Sequence, residues 1–357
     1  MDRTYLAEFD EPTGYLDFAR FGPPSRAVVD ASDRALRATA RCGPSTLDDL
    51  MTADARARTT AARLCGGTPD RVVLVPNTSL GLLQAAFGVT GRVLVPTTDF
   101  PANTYPWARA EQAGRITVDR VPPEAITRAL TPEHTAVAVS AVDFRTGYRM
   151  DLAALREAVG DRLLVVDGIQ GFGAVDADWA AADVLVVGGQ KWLRAGWGTG
   201  FAAFSERALD GLEPLLSSWT GARDPMVFDD EIHPPADGAA RWGITNLSPI
   251  AATALAVALE LVERVGVAAI AEGIGRRVGE LADTVVRAGG RIVSRGPTMV
   301  AFATTDLQTT ARSLADHGIA ASVRADHIRL SPHASTTDDT VAAVAAALEV
   351  NSPQFRN

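Results

Sequence analysis

Two apolar runs separated by a short segment constrain the fold of this chain more than any other feature. The first, residues 163–166, contains only Leu and Val and ends at Asp167; the second, residues 182–187, leads through two glycines and Gln190 into Lys191. Such runs are typical of strands buried on both faces of a parallel sheet. Parallel sheets bind ligands at the carboxyl ends of their strands. The sequence therefore predicts an α/β fold in which a carboxylate and an amine stand at adjacent strand ends.

Lys191 is the only lysine in the chain, although lysine and arginine together number 34. Its amine can lose a proton when it is partly buried and can then condense with a carbonyl, which the guanidinium of arginine does not do. A single surface lysine left by compositional drift is the alternative, and the residue alone favours neither interpretation. The neighbouring strand end with Asp167 favours Schiff-base chemistry at Lys191.

The length and composition are those of a two-domain enzyme. The chain has 357 residues, of which 47% are hydrophobic and 22% are charged, which suffices for one large domain and a smaller one. We expect an N-terminal arm at residues 1–25, a large domain at 26–246 and a small C-terminal domain at 247–357. A long apolar-rich helix that follows Ser248-Pro249 is expected to bridge to the small domain.

Charge and hydropathy exclude several classes of partner. The formal net charge is −9, so the chain has little excess positive charge with which to build a face for nucleic acid. No run approaches the roughly 20 apolar residues of a membrane span, and the N-terminus has no signal-peptide pattern. We expect a cytoplasmic protein that binds small molecules. Cys42 and Cys65 lack C-x-x-C spacing and the histidines are scattered, so neither disulfides nor a metal site is expected.

A pattern around the two strand ends resembles a known family. D-x-x-Q (Asp167, Gln170) is followed by K-W-L-x-x-G-x-G-x-G-F from Lys191 onward, and this resembles the class V aminotransferase family of pyridoxal phosphate (PLP) enzymes. That family includes kynureninase, the cysteine desulfurases and isopenicillin N epimerase. The resemblance extends from residue 15 to residue 331. It implies the fold-type I architecture, a large mainly parallel-sheet α/β domain with a smaller α+β C-terminal domain.

The resemblance also implies a cofactor and its catalytic partners. PLP would be held covalently by Lys191, and Asp167 would pair with the pyridine nitrogen. A carboxylate there keeps the nitrogen protonated, so the ring withdraws electrons from the substrate. Gln170 would orient the ring oxygen.

Residues at a predicted helix start are candidates for the phosphate site. Thr78 and Ser79 follow the predicted strand 71–75 and open an apolar helix. Free N–H groups at a helix N-terminus favour anions, and the family places the PLP phosphate here. Asn77 or Thr78 acting as an N-cap is the alternative, and both roles are compatible.

Further cofactor contacts follow from the resemblance. In the predicted loop 98–107, which resembles the F-P-x-D of kynureninase, Phe100 would stack on the PLP ring and Asn103 would lie near the cofactor. Gln190 would donate to the phosphate. The usual polar partner of the ring oxygen falls on Phe144, which is a departure from the family.

Arginines are the candidates for substrate binding. Arg329 lies in Ile328-Arg329-Leu330-Ser331, which resembles the family's segment for the α-carboxylate, and a bidentate guanidinium suits that task. Arg20 follows the first short strand, where it either reaches a substrate carboxylate or is solvated. Asp143 and His333 lie near the expected site, each with a structural role as the alternative.

Two segments resemble parts of kynureninase that reach the partner subunit's cofactor. They are Ser218-Trp219-Thr220-Gly221 and Gly243-Ile244-Thr245-Asn246. The resemblance therefore implies a homodimer with shared active sites. In it Trp219 and Thr245 would contact the cofactor and Asn246 the substrate.

The reaction is less constrained than the cofactor, because the same chemistry supports several outcomes at Cα and Cβ. A lyase that cleaves a C–S or C–C bond of an amino acid is the main prediction, with an aminotransferase or an epimerase as the alternative. A persulfide-forming desulfurase is disfavoured because no cysteine follows Cys65. A non-catalytic module is disfavoured because Lys191, Asp167 and Arg329 are all present.

Overall fold

The apolar runs of the sequence build a seven-stranded sheet in the computed structural model, which describes residues 3–349. Its strands are β1 (Val72–Leu74), β2 (Gly91–Pro96), β3 (Ile116–Val121), β4 (His134–Ser140), β5 (Leu163–Asp167), β6 (Val184–Gly188) and β7 (Gly200–Phe204). The strand order is β1-β7-β6-β5-β4-β2-β3. Strands β2 to β6 pair in parallel, and β7 runs antiparallel to β6 and β1.

Both faces of this sheet are buried, as the unbroken apolar runs predict. Alternate residues of a strand point to opposite faces. Leu164 and Val166 accordingly belong to one hydrophobic core, and Leu163 and Val165 to the other. Asp167 is the last residue of β5 and lies opposite Val186 of β6. The carboxylate and the loop that carries Lys191 are therefore brought to the same edge of the sheet.

Twelve helices surround the sheets in the described part of the chain. They are α1 (Arg3–Leu6), α2 (Arg26–Arg41), α3 (Thr46–Cys65), α4 (Thr78–Gly88), α5 (Pro101–Gln112), α6 (Ile126–Ala129), α7 (Leu152–Val159), α8 (Glu206–Gly211), α9 (Pro249–Val265), α10 (Val267–Arg287), α11 (Leu307–Asp316) and α12 (Asp338–Glu349). Ser25 caps α2 by accepting from the Val28 N–H at 3.2 Å. Among residues 3–349, no helix has the length and apolarity to cross a membrane.

A second, antiparallel sheet forms the small domain. Its strands are β8 (Arg291–Arg295), β9 (Val300–Ala303), β10 (Ser322–Val323) and β11 (Ile328–Leu330), in the order β10-β11-β9-β8. Helices α10 and α12 pack against each other, and α10 packs on β8 and β9. The predicted combination of a large mainly parallel α/β domain and a smaller α+β domain is confirmed.

The N-terminal arm joins the small sheet to the Lys191 loop. Tyr15 and Asp17 form parallel bridges to Ala320 and Ser331. The Gly22 N–H donates to the Gln190 carbonyl at 2.9 Å. A Cβ at Gly22 would lie 2.0 Å from the Lys191 carbonyl oxygen, so this close approach requires glycine. The arm is thus part of the framework around the site.

Two local expectations differ from the structure. Helix α9, expected to bridge to the small domain, packs along α2 and α3 of the large domain. The boundary between the domains at residue 247 stays a prediction. The segment predicted to be a loop at 98–107 is helical from Pro101, because proline suits the first turn of a helix.

Candidate active site

A cavity of about 330 Å³ lies at the carboxyl ends of β5 and β6. The arm, the start of α4, the loop before α5 and the small domain complete its walls. The lining residues are Ala19, Arg20, Asn77, Thr78, Ser79, Phe100, Ala102, Phe144, Asp167, Ile169, Gln170, Gln190, Lys191, Trp197, Ser322, Arg324 and Arg329. Nine of the residues predicted for the site are among them, and Asn103, Trp219, Thr245 and Asn246 are not.

Lys191 is held in a setting that favours its neutral form. Only 8% of the residue is exposed, and its Nζ lies 5.3 Å from the centroid of the Phe100 ring. Burial lowers the pKa of the Lys191 amine to about 8, an effect that Asp167 opposes and Arg329 reinforces. The neutral amine that a nucleophile requires is therefore far more populated near neutral pH than in a lysine exposed to solvent.

Asp167 has an oxygen without a partner. Its Oδ1 accepts from the Ile169 N–H at 3.0 Å, whereas Oδ2 is buried and has no hydrogen-bond partner among residues 3–349. Burial raises the pKa of Asp167 to about 7, and Lys191 opposes this shift. A buried acceptor left unpaired is costly. Asp167 is therefore suited to a ligand that brings a charged N–H, such as a protonated pyridine nitrogen.

The start of α4 has the properties of an anion site. Thr78 is the first residue of the helix, and its Oγ1 is buried without a partner in the described structure. Asn77 caps the helix by accepting from the Leu80 N–H at 2.9 Å. A Cβ at Gly188 would lie 2.7 Å from both Thr78 Oγ1 and Gln190 Oε1, so glycine keeps this space open. With Ser79 beside it, the unpaired Thr78 hydroxyl fits a phosphate group.

Arg329 is fixed by internal contacts but retains a free donor. Its Nη2 donates to Asp17 Oδ1 at 3.2 Å and to Ser322 Oγ at 2.8 Å, and its Nη1 donates to the Phe144 carbonyl. The Nε group is buried and has no partner within residues 3–349. The guanidinium fork expected for a substrate carboxylate is thus partly occupied, and Nε is the donor left for a ligand.

Two amide side chains that were predicted to contact the cofactor form hydrogen bonds with other protein groups. Gln170 lines the cavity, but its Nε2 donates to the Ala19 carbonyl at 2.8 Å and its Oε1 accepts from the Trp192 indole at 3.0 Å. Asn103 is fully buried on α5 and outside the cavity, where its Nδ2 donates to Asp99 Oδ2 at 2.9 Å. The helical conformation from Pro101 onward explains this position of Asn103, since the predicted loop would have left it near the cofactor.

Three residues left open by the sequence now have contacts. Phe144 lines the cavity with its ring edge-on to Phe100, 5.1 Å between centroids. Asp143 closes its own turn, because its Oδ1 accepts from the N–H groups of Arg145 and Thr146 at 3.0 and 2.7 Å. His333 is completely buried among aromatic rings, where burial holds the pKa of its imidazole well below the usual value. Asp143 and His333 thus have structural roles.

Residues predicted to serve a partner subunit lie on a second surface. Thr245 and Asn246 line an apolar groove of about 770 Å³ that is separate from the cavity. Trp197 lines both the groove and the cavity. Trp219 is 46% exposed.

Three polar residues of the site region were not predicted from the sequence. Asp17 and Ser322 hold Arg329 in place, and Arg324 lines the cavity. A carboxylate within the apolar run Leu16–Ala19 was a usable signal for Asp17. Nothing local distinguishes Ser322 or Arg324, because their importance arises from a contact between distant parts of the chain.

Known proteins resemble this chain in sequence. A family model described as Aminotransferase class-V matches residues 25–335. This chain belongs to the class-V aminotransferase family. Kynureninase of Deinococcus radiodurans is 30% identical over 303 residues, which cover 79% of this chain and 72% of the relative. Isopenicillin N epimerase of Streptomyces clavuligerus is 30% identical over 183 residues, 46% of each chain.

A solved structure resembles the whole fold. The complex between the cystine C–S lyase C-DES and its reaction product cysteine persulfide has a TM-score of 0.85 at 18% identity, covering 94% of this chain and 97% of that chain. The fold-type I architecture is thereby confirmed. Family membership also confirms the predictions of an enzyme and of PLP as its cofactor, because PLP is the cofactor of this family.

Proposed function

We propose that this enzyme cleaves a bond at Cβ of a small α-amino acid, as a PLP-dependent lyase for C–S or C–C bonds. One observation carries the proposal: among residues 3–349, Lys191 is the one side chain of the cavity wall that is suited to move a proton to and from substrate, since Asp167 is assigned to the pyridine nitrogen. The other ionisable lining residues are three arginines, which stay charged, and Asp167. An epimerase that works from both faces of Cα needs a second acid or base, and the described wall offers none.

The unpaired atoms of the cavity fit the cofactor. Lys191 Nζ would hold PLP covalently, Asp167 Oδ2 would accept from its pyridine N–H, and Thr78, Ser79 and Gln190 would bind its phosphate. When bound, PLP supplies a ring that withdraws electrons from the substrate Cα. Lys191 Nζ would take the Cα proton and, as the bond at Cβ breaks, would give a proton to the departing sulfur of a C–S bond or to the Cβ left by a C–C bond.

The remaining wall residues position the substrate. Phe100 lies over the Lys191 amine and is placed to cover the ring, and Phe144 packs against Phe100 where the family has a polar partner. Arg329 Nε donates to the α-carboxylate, since Asp17 and the Phe144 carbonyl hold the guanidinium still. The cavity is at the small end of the roughly 300–1,000 Å³ typical of ligand sites, so the substrate is a small amino acid.

A single lysine base serves a lyase and an aminotransferase equally, and the similarity to kynureninase over 79% of the chain is the support for the lyase. A persulfide-forming desulfurase is disfavoured by the cysteines. Cys42 is exposed after α2, Cys65 is buried at the end of α3, and neither lines the cavity.

A substrate panel tests the reaction. Purified PLP-loaded enzyme is incubated with single L-amino acids, and the Cβ fragment and the released keto acid or alanine are identified by mass spectrometry. We expect Cβ–C or Cβ–S cleavage by the wild type and none by Lys191→Ala. Transfer of the amino group to an added keto acid without Cβ cleavage contradicts the lyase proposal, as does conversion to the D-isomer.

Covalent attachment of PLP can be tested separately. Borohydride reduction and peptide mapping should place the pyridoxyl label on Lys191. The rate of attachment to the apoenzyme should rise with pH through about 8, because the pKa of the Lys191 amine lies there and only the neutral amine attacks. A label found only at the N-terminal amine contradicts the assignment.

We further propose that the enzyme is a homodimer with shared active sites. Segment 215–232 exposes several large apolar side chains, among them Phe228 (82%) and Ile232 (99%). Exposed apolar patches of this kind mark interfaces. The 770 Å³ groove lined by Thr245 and Asn246 is a second apolar surface, and it meets the cavity at Trp197. A second copy seated here would bring its Trp219, Thr245 and Asn246 to the cavity.

Subunit complementation tests this arrangement. Lys191→Ala and Asn246→Ala enzymes, each assayed alone, are denatured together and refolded as a mixture. In a shared-site dimer each mixed dimer contains one intact site, so activity should recover to about a quarter of wild type. No recovery, or a monomer by light scattering, contradicts the proposal.

A further inference from the structure

The cavity carries more positive charge than the α-carboxylate of an amino acid requires. Its wall contains three guanidinium groups, those of Arg20, Arg324 and Arg329. Arg329 is neutralised in part by Asp17 at 3.2 Å. The side chains of Arg20 and Arg324 make no hydrogen bond or ion pair with any residue of the described structure. Two unpaired cations therefore border the site.

Both unpaired arginines belong to the chain segments that hold Arg329. The Arg20 N–H donates to the Asp17 carbonyl at 2.9 Å, and Arg324 follows Ser322 by two residues. Asp17 and Ser322 are the two side chains that hold Arg329 Nη2. The phosphate candidates Thr78 and Gln190 belong instead to the large domain. Arg20 and Arg324 thus line the cavity from the two segments that bind the arginine proposed for the α-carboxylate.

We propose that the substrate carries a second carboxylate, on its side chain, and that Arg20 and Arg324 bind it. This inference rests on the proposed function, because it assumes an amino acid held at Arg329. Both arginines are exposed, so their attraction for an anion is screened by salt. The small cavity restricts the substrate to a short-chain amino dicarboxylate.

Binding of non-reacting probes tests the inference without reference to the reaction. Succinate has two carboxylates and butyrate has one, and neither has an amine that could react. Calorimetric titration of the PLP-loaded enzyme should show succinate binding roughly tenfold more tightly than butyrate, with a preference that shrinks as salt is added. The double variant Arg20→Gln/Arg324→Gln should lose the preference and keep its affinity for butyrate.

Arg128→Gln is the matched control, because Arg128 is exposed on α6 and does not line the cavity. It should retain the preference for succinate. Bound PLP and the melting temperature should be unchanged in all variants. Equal binding of succinate and butyrate by wild type overturns the inference, as does a preference that survives in the double variant. Loss of PLP from the double variant also overturns it, because the arginines would then hold the phosphate.

The two proposals fail in different ways. A preference for succinate together with amino-group transfer in the substrate panel leaves this inference standing and removes the lyase. Cβ cleavage of a neutral amino acid together with equal binding of the probes leaves the lyase standing and removes this inference.

Discussion

Two buried arginines are held by similar partners, yet one belongs to the cavity and the other does not. Arg194 and Arg329 are each 2% exposed. Each is bound by a carboxylate of the N-terminal arm and by a serine of the C-terminal third. We call the group of Arg194, Glu11 and Ser335 the closed cluster, and the group of Arg329, Asp17 and Ser322 the open cluster.

In the closed cluster every nitrogen of the guanidinium has a partner. Arg194 Nη2 donates to Glu11 Oε2 at 2.6 Å, Nη1 donates to Ser335 Oγ at 3.0 Å, and Nε donates to the Pro23 carbonyl at 2.5 Å. The guanidinium also lies 3.7 Å from the centroid of the Phe9 ring. These contacts fasten the arm to the Lys191 loop, three residues after the lysine.

The open cluster has the same residue types, but not every hydrogen-bonding group in it has a partner. Asp17 contacts Arg329 through one oxygen, whereas Glu11 contacts Arg194 through both. Arg329 Nε has no partner in the described structure. A buried donor without a partner costs stability unless a ligand fills it. The comparison teaches that the unfilled donor, rather than the arginine itself, distinguishes a binding residue from a structural one.

The largest effect is expected from breaking the closed cluster. Glu11→Gln should lower the free energy of unfolding by ~3–5 kcal/mol, because Arg194 would be left as a buried charge without its partner. Guanidinium chloride unfolding measures this. Glu260→Gln is the control, since its pair with Arg56 is 38–50% exposed and should contribute at most about 1 kcal/mol. Equal losses in the two variants would show that the closed cluster does not fasten the arm.

The next largest effect concerns binding at the open cluster. Arg329→Lys should weaken butyrate binding by roughly tenfold, because a flexible ammonium cannot keep the fixed Nε donor. PLP should remain bound, as its absorbance will show. Arg128→Lys serves as the control. If Arg329→Lys binds butyrate normally while Arg20→Gln does not, then Arg20 is the anchor and the proposed role of the open cluster is wrong.

The strand ends of the site and the open cluster differ in how far the sequence predicts them. The strand ends that carry Asp167 and Lys191 follow from apolar runs and the parallel-sheet rule, so local pattern suffices there. Arg329 was predicted through the family resemblance. Its partner Asp17 is 312 residues away in sequence, and local patterns do not specify such a contact.

The location of Asn103 differs from the prediction for another reason. The polar composition of 98–107 favours a loop, but proline at residue 101 begins helix α5 and turns Asn103 into the interior. Tertiary packing against Trp107, whose indole donates to Asn103 Oδ1 at 3.3 Å, then decides the role of this side chain. A difference of one or two residues in where a helix begins thus determines which side chains reach a site.

A smaller effect should follow from removing the carboxylate of the open cluster. Asp17→Asn removes the carboxylate that competes with ligands for Arg329, so butyrate should bind roughly threefold to tenfold more tightly. The unliganded protein should be less stable, and added butyrate should recover part of the loss through linkage. Glu11→Gln should show no gain in butyrate affinity. A gain in both variants would mean that net charge, rather than the open cluster, controls binding.

The smallest effect separates the two serines. Ser322 Oγ accepts from Arg329 and donates to Asp17 at 2.7 Å, and Ser335 Oγ accepts from Arg194 and donates to Glu11. Water from the cavity can replace the Ser322 hydroxyl, so Ser322→Ala should cost only ~0.5 kcal/mol. Ser335 lines no part of the cavity, and Ser335→Ala should cost ~1–1.5 kcal/mol because Arg194 and Glu11 would each lose a buried hydrogen bond that cavity water does not replace. Parallel denaturant titrations resolve this difference. A larger loss for Ser322→Ala would mean that the open cluster is the tighter of the two, and the distinction between filled and unfilled arginines would then fail.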